Sequence, residues 1–167
     1  MKKQQRNMVG HGTVILLVGM LTGFGLLVSL LGGMELIPGT IISFSIPGDP
    51  GSWARAHLGG MLNGMLIMLV AVLITTLSLS ARVAGHLYWM LVGTGYANTL
   101  FYLAALLAPN RALSFADNQF GESSIFAVIG LLPALVFVVV SIIAITMLAV
   151  NAFKSAESLA DCSERVE

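Results

Sequence analysis

Four long apolar runs alternate with shorter polar stretches along this chain. They cover roughly 13–31, 58–79, 86–108 and 125–150 and are almost free of charge. Each reaches the ~20 residues that a helix needs to cross ~30 Å of hydrocarbon. Helix is the form such runs take, because an isolated strand would leave its backbone groups unpaired in lipid. The pattern predicts helices over about 12–32, 56–80, 84–108 and 124–151, followed by a polar C-terminal tail at 152–167. The expected fold class is all-α: an integral membrane four-helix transmembrane bundle forming one domain over 1–167, surrounded by membrane lipid.

Composition sharpens this picture. The chain is 57% hydrophobic and 10% charged, against about 25% charged in soluble domains. A formal net charge of zero gives no footing for a nucleic-acid partner. The one cysteine, Cys162, lies in the polar tail and excludes both an intrachain disulfide and a Cys-rich metal site. The first run follows Lys2, Lys3 and Arg6 but is too long for a signal-peptide core, and no small-residue cleavage site follows it. Lys2, Lys3, Arg6, Arg82, Lys154 and Arg165 fall on one side of the predicted spans, with Arg55 and Arg111 on the other. The positive-inside rule then places the N and C termini in the cytoplasm.

The polar residues near the outer ends of the runs carry the candidate chemistry. The loop at 32–55 has three turn dipeptides, Pro38-Gly39, Pro47-Gly48 and Pro50-Gly51. Apolar Ile41, Ile42, Phe44 and Ile46 lie between them, which predicts a segment folded back on the bundle as a lid. At the mouth of the second run, His57, Gly60, Met61 and Gly64 share one helical face. That face suits a flat macrocycle held by a nitrogen ligand, and the glycines suit close helix packing equally well. Asn63 lies roughly 120° around the helix and about 9 Å deeper, so it serves a different surface. On the third run Thr94, Asn98 and Tyr102 form a polar stripe at spacing i, i+4, i+8. Asn63 and Tyr102 fall at a similar depth. Such a meeting either glues helices, at ~0.6 kcal/mol per hydrogen bond, or lines a substrate pocket. His11 and His86 lie at the inner ends of their runs, ~30 Å from His57. One haem cannot be clamped between His57 and either of them, so an iron held by His57 keeps an open position unless a symmetry mate fills it.

Gly33-Met-Glu-Leu-Ile-Pro-Gly, Trp53-Ala-Arg-Ala-His57, Leu62-Asn63-Gly64, Ala97-Asn98, Phe101-Tyr102 and Pro109-Asn110-Arg111 resemble the styrene oxide isomerases. Pro47-Gly48 and Gly10-His11-Gly12 fit the same pattern, and the likeness runs from about 10 to 151. The resemblance implies a small four-helix enzyme of the bacterial inner (cytoplasmic) membrane. It implies heme b with ferric iron, a homotrimer with haem at subunit interfaces, and an aryl epoxide substrate. It implies conversion of styrene oxide or a related epoxide to phenylacetaldehyde by Lewis-acid ring opening and a 1,2-hydride shift. Carried onto this chain, the axial ligand falls on His57 and the catalytic, substrate-positioning residues on Asn63 and Tyr102. Thr94 and Tyr96 depart from the pattern, where some members carry an acidic residue and Trp, and this bears on substrate preference. The competing expectations are a non-enzymatic membrane haem protein for redox or gas sensing, and a colourless scaffold whose polar stripe only joins helices.

Overall fold

The computed structural model describes residues 3–164, with side chains described through residue 155. Lys2 and Arg165, used above for sidedness, lie outside the described residues, and no side chain is described for Cys162. The elements run α1 (Lys3–Leu31), β1 (Gly33–Ile37), β2 (Thr40–Ser43), α2 (Pro50–Thr76), α3 (Ala81–Leu107) and α4 (Ile125–Glu164). Among the described residues, four helices are long and apolar enough to cross a membrane.

Successive helices are antiparallel. Along α1 and α2, Gly25 faces Trp53, Gly19 faces Gly60 and Gly12 faces Gly64. A Cβ at Gly19 would lie 2.6 Å from the Met61 nitrogen, so these two backbones touch where no side chain fits. Between α2 and α3, Ile67 meets Gly95 and Gly59 meets Tyr102. Between α3 and α4, Gly93 meets Phe137 and Phe101 meets Gly130. The start of α1 and the end of α4 therefore lie at one end, and the hairpin and the loop at 108–124 lie at the other. Most of the apolar core occupies the terminal half, where Met8, Ile15, Ile67, Val70, Leu87 and Leu91 are fully enclosed. The loop half is held by small contacts, with Ala105, Ala108, Ala112 and Ala127 packed together. Many large apolar side chains face outward, among them Leu17, Met20, Leu21, Phe24 and Leu27 of α1.

The helix ends differ from the sequence expectation for identifiable reasons. Helix α1 is already formed at Lys3, the first described residue, and Gln5 is satisfied inside the bundle. Its amide donates to the Ala71 carbonyl at 3.2 Å and to the Thr75 hydroxyl. Helix α2 starts at Pro50, six residues before the apolar run suggests. Asp49 caps it, accepting from the Gly51 and Ser52 backbone at 2.9 and 3.2 Å, and Pro50 suits the first helical position. His57 is therefore about 10 Å into the helix and not at its mouth. Helix α4 continues past residue 151 to Glu164, so the stretch read as a tail is helical as far as it is described.

The loop at 32–49 holds an antiparallel hairpin that periodicity did not reveal. Ile37 pairs with Thr40 across Pro38-Gly39, and Gly39 takes φ +82°. Ile41, Ile42 and Phe44 stay about half exposed, so they do not close over the bundle as the lid reading required. The second loop is knotted around Asn110, which is fully buried. Its amide nitrogen donates to Ser114 and Ala116 carbonyls at 2.9 and 3.2 Å, and its oxygen accepts from the Ala112 nitrogen at 3.1 Å. That knot supports positive φ at Arg111 and Ala112.

Candidate active site

His57 points away from α3, toward α1. Its Nδ1 lies 2.8 Å from the Gly19 carbonyl oxygen. A carbonyl only accepts, so Nδ1 carries the proton and, in the neutral ring, Nε2 carries the lone pair. The same carbonyl accepts from the buried Thr22 hydroxyl at 2.7 Å, which fixes the acceptor as well as the ring. Nε2 has no partner among the described residues. The ring borders an open apolar groove of about 500 Å³ lined by Leu17, Met20, Leu21, Gly23, Phe24, Leu27, His57 and Met61. A Cβ at Gly23 would sit 3.0 Å from the His57 ring, so glycine there keeps the imidazole's flank open.

This donor set fits haem better than a bare ion. No group of three His, Cys, Asp or Glu able to hold a metal exists among the described residues. A macrocycle supplies four of its own ligands and asks the protein for one basic nitrogen and an apolar wall. An oriented histidine with a held N–H is how proteins present such a nitrogen.

Asn63 and Tyr102 come together elsewhere, on the α2–α3 seam. Gly59 is the platform between them. The Tyr102 ring covers it so closely that a Cβ at Gly59 would lie 2.4 Å from Cζ and 2.6 Å from the hydroxyl oxygen. Asn63, one turn on, donates from Nδ2 to the Gly59 carbonyl at 2.7 Å, while its Oδ1 accepts from Asn98 Nδ2 at 3.0 Å. Arg55, Gly59 and Asn63 thus line one face of α2 at four-residue spacing. His57 lies on a different face, so within one chain the imidazole is not joined to the Asn63–Tyr102 pair. Sequence reasoning placed Asn98 in the polar stripe but missed Gly59, Thr22 and the Gly19 carbonyl as the acceptor for His57.

Asp49, Arg55 and Arg111, at this end, make contacts within the chain. Arg111 Nε pairs with Asp49 Oδ2 at 3.1 Å, and its guanidinium lies 4.1 Å from the Phe120 ring centre. Partial burial pushes the Asp49 carboxyl up. The Ser52 hydroxyl and backbone N–H, Arg111 and the Gly51 N–H together outweigh this and hold it below the usual carboxylate range. Arg55 donates to the Ser52 hydroxyl at 3.2 Å. Of the other histidines, His86 is exposed. His11 is bridged between Tyr96 (Nδ1, 3.0 Å) and Tyr88 (Nε2, 3.3 Å), which ties α1 to α3.

A family model for styrene oxide isomerase matches residues 4–153. The chain belongs to the styrene oxide isomerase family. A styrene-oxide isomerase from Pseudomonas fluorescens is 39% identical over 154 residues, covering 92% of this chain and 91% of the relative. Family membership makes this protein an isomerase, and the match spans all four helices and both loops. The His57 groove and the Asn63–Tyr102 seam are two of the places where polar atoms meet an apolar environment in this family member.

Proposed function

We propose that this chain is a multi-pass protein of the bacterial inner membrane that isomerises styrene oxide, or a related aryl epoxide, to the corresponding aldehyde using haem b held by His57. The observation that carries the proposal is the His57 ring itself. Its Nδ1–H is held at 2.8 Å by a main-chain carbonyl, which leaves the Nε2 lone pair out of that bond, and the ring borders an apolar groove. When bound, ferric haem supplies a Lewis-acidic iron for the epoxide oxygen, so the ring opens without net redox chemistry.

The protein's own groups do the rest. Tyr102 donates a hydrogen bond to the oxygen as negative charge develops, a contribution often worth ~3–4 kcal/mol for one such donor. Asn63 has one N–H left after its bond to Gly59, and that N–H orients the oxygen. The apolar groove keeps water from capturing the benzylic cation as a diol, so a 1,2-hydride shift delivers the aldehyde. Every atom of the epoxide is retained, as isomerisation requires.

The separation of the two surfaces supports a head-to-tail contact between copies, as a homotrimer would supply. A macrocycle on His57 of one copy can meet Asn63 and Tyr102 only if a neighbouring copy brings its α2–α3 seam to the groove. The exposed Leu17, Met20, Leu21, Phe24 and Leu27 around the groove are the kind of surface such packing, or lipid, covers.

The test is a visible spectrum of protein purified in mild detergent, before and after styrene oxide, with no reductant. A Soret band that shifts, with phenylacetaldehyde accumulating, is expected. A colourless protein that stays inactive after haem supplementation overturns the proposal. A coloured protein that leaves epoxides untouched makes it a non-enzymatic haem protein. His57→Ala should lose the Soret band, and Tyr102→Phe should keep it while turnover falls.

A further inference from the structure

We infer that Asn98 is a positioning residue that fixes which way the Asn63 amide faces, and so which group Asn63 offers to the substrate. This rests on the reading that Asn63 contacts the epoxide. The argument starts from the Gly59 carbonyl, a backbone oxygen that can only accept. The Asn63 atom 2.7 Å from it must therefore be the nitrogen, because an oxygen there would face another oxygen. That choice turns Oδ1 toward α3, where the Asn98 atom at 3.0 Å must in turn be a donor. The result is a directed chain of Asn98 N–H, Asn63 C=O, Asn63 N–H and Gly59 C=O. Both links are half-buried, where such chains polarise one another.

One Asn63 N–H remains outside the chain. It points a donor, not an acceptor, at whatever lies against the seam. Remove the Asn98 donor and the Asn63 amide keeps only its bond to the Gly59 carbonyl, one of the two contacts that oppose rotation, so its oxygen takes the outward place more often. An epoxide oxygen carrying developing negative charge would then meet an acceptor. Asn98 precedes Tyr102 by one turn of α3, so a single helical turn sets both hydrogen-bond donors of the seam.

The experiment is a double-mutant cycle on haem-loaded protein with styrene oxide, combining Asn98→Leu and Asn98→Ala with Asn63→Ala. Leaving the Asn63 oxygen without its donor should lower kcat about tenfold, with KM within about twofold. The Soret band should be unchanged, since His57 is not involved. In the Asn63→Ala background the Asn98 substitutions should cost nothing further, which is the signature of acting through Asn63. Equal losses in both backgrounds would make Asn98 a helix-packing residue and overturn the inference, as would full turnover in Asn98→Leu and Asn98→Ala. Asn63→Ala at full turnover would remove Asn63 from the chemistry, and this inference with it. That single-variant arm separates failure of the functional reading from failure of the Asn98 assignment alone. Asn98→Ala is a strong helix former and keeps the test available if Asn98→Leu does not fold.

Discussion

Adding one methyl group at Gly59 should separate stability from turnover. Alanine in place of an interior helical glycine favours the helix by about 1 kcal/mol. Against this, the new Cβ would stand 2.4 Å from Tyr102 Cζ, 2.5 Å from Cε2 and 2.6 Å from the hydroxyl oxygen. Ordinary carbon contacts begin near 3.5 Å, so the ring must swing away by roughly 1 Å. These atoms form the far end of a side chain, half-exposed on the seam, and overpacking of this kind costs about 1–3 kcal/mol. The two terms nearly offset, and thermal stability should change by less than about 2 kcal/mol. Turnover should not be spared. A displacement of about 1 Å in a positioned group can cost 10²-fold, which is about 2.7 kcal/mol in the barrier. The assay is phenylacetaldehyde formation by Gly59→Ala beside Tyr102→Phe, with the Soret band and melting curve recorded on the same samples. Gly59→Ala at wild-type turnover would falsify the reasoning, because Tyr102 would then not act from the place it occupies here.

Other positions give independent checks. Gly19→Ala puts a methyl 2.6 Å from a backbone nitrogen of α2, so the helices must part; expect about 1–3 kcal/mol of lost stability and weaker haem retention by pigment-to-protein ratio. Asp49, whose carboxyl is held below its ordinary value, contributes stability that is complete above about pH 4 and lost as pH falls through the lowered value. Melting curves should show Asp49→Asn less stable than the parent at neutral pH, with the gap closing in acid; a pH-independent gap would refute this. His11→Phe strands two phenols and should cost about 1–2 kcal/mol, yet leave the Soret band in place. Loss of that band would make His11 more than a tie between α1 and α3.

The parts of this molecule that were legible in the sequence are those set by composition and period. Four charge-free runs produced four helices, and the angle between His57 and Asn63 on one helix put them on different surfaces. The match in depth between Asn63 and Tyr102 anticipated their meeting at Gly59. What was illegible depended on partners elsewhere in the chain. The apolar pattern begins α2 near residue 56, but the cap formed by Asp49 and Pro50 begins it earlier, a polar signal that an apolar pattern overlooks. Gln5 looks like a solvent-facing residue until Ala71 and Thr75 are placed beside it. The acceptor for His57 left no trace in residue type, because it is a main-chain oxygen on another helix.

That last feature has a consequence for how the imidazole can be tuned. Where a histidine leans on a carboxylate or an amide side chain, one substitution removes or exchanges the acceptor. Here the acceptor belongs to the peptide bond of Gly19, which every residue possesses. No replacement at position 19 can delete it, and a replacement can only carry it away from the ring by moving α1. The electron-donating strength of Nε2 is therefore a readout of the spacing between two helices. Anything that squeezes or spreads α1 against α2, from bilayer thickness to a neighbouring subunit, reaches the imidazole through a single oxygen atom.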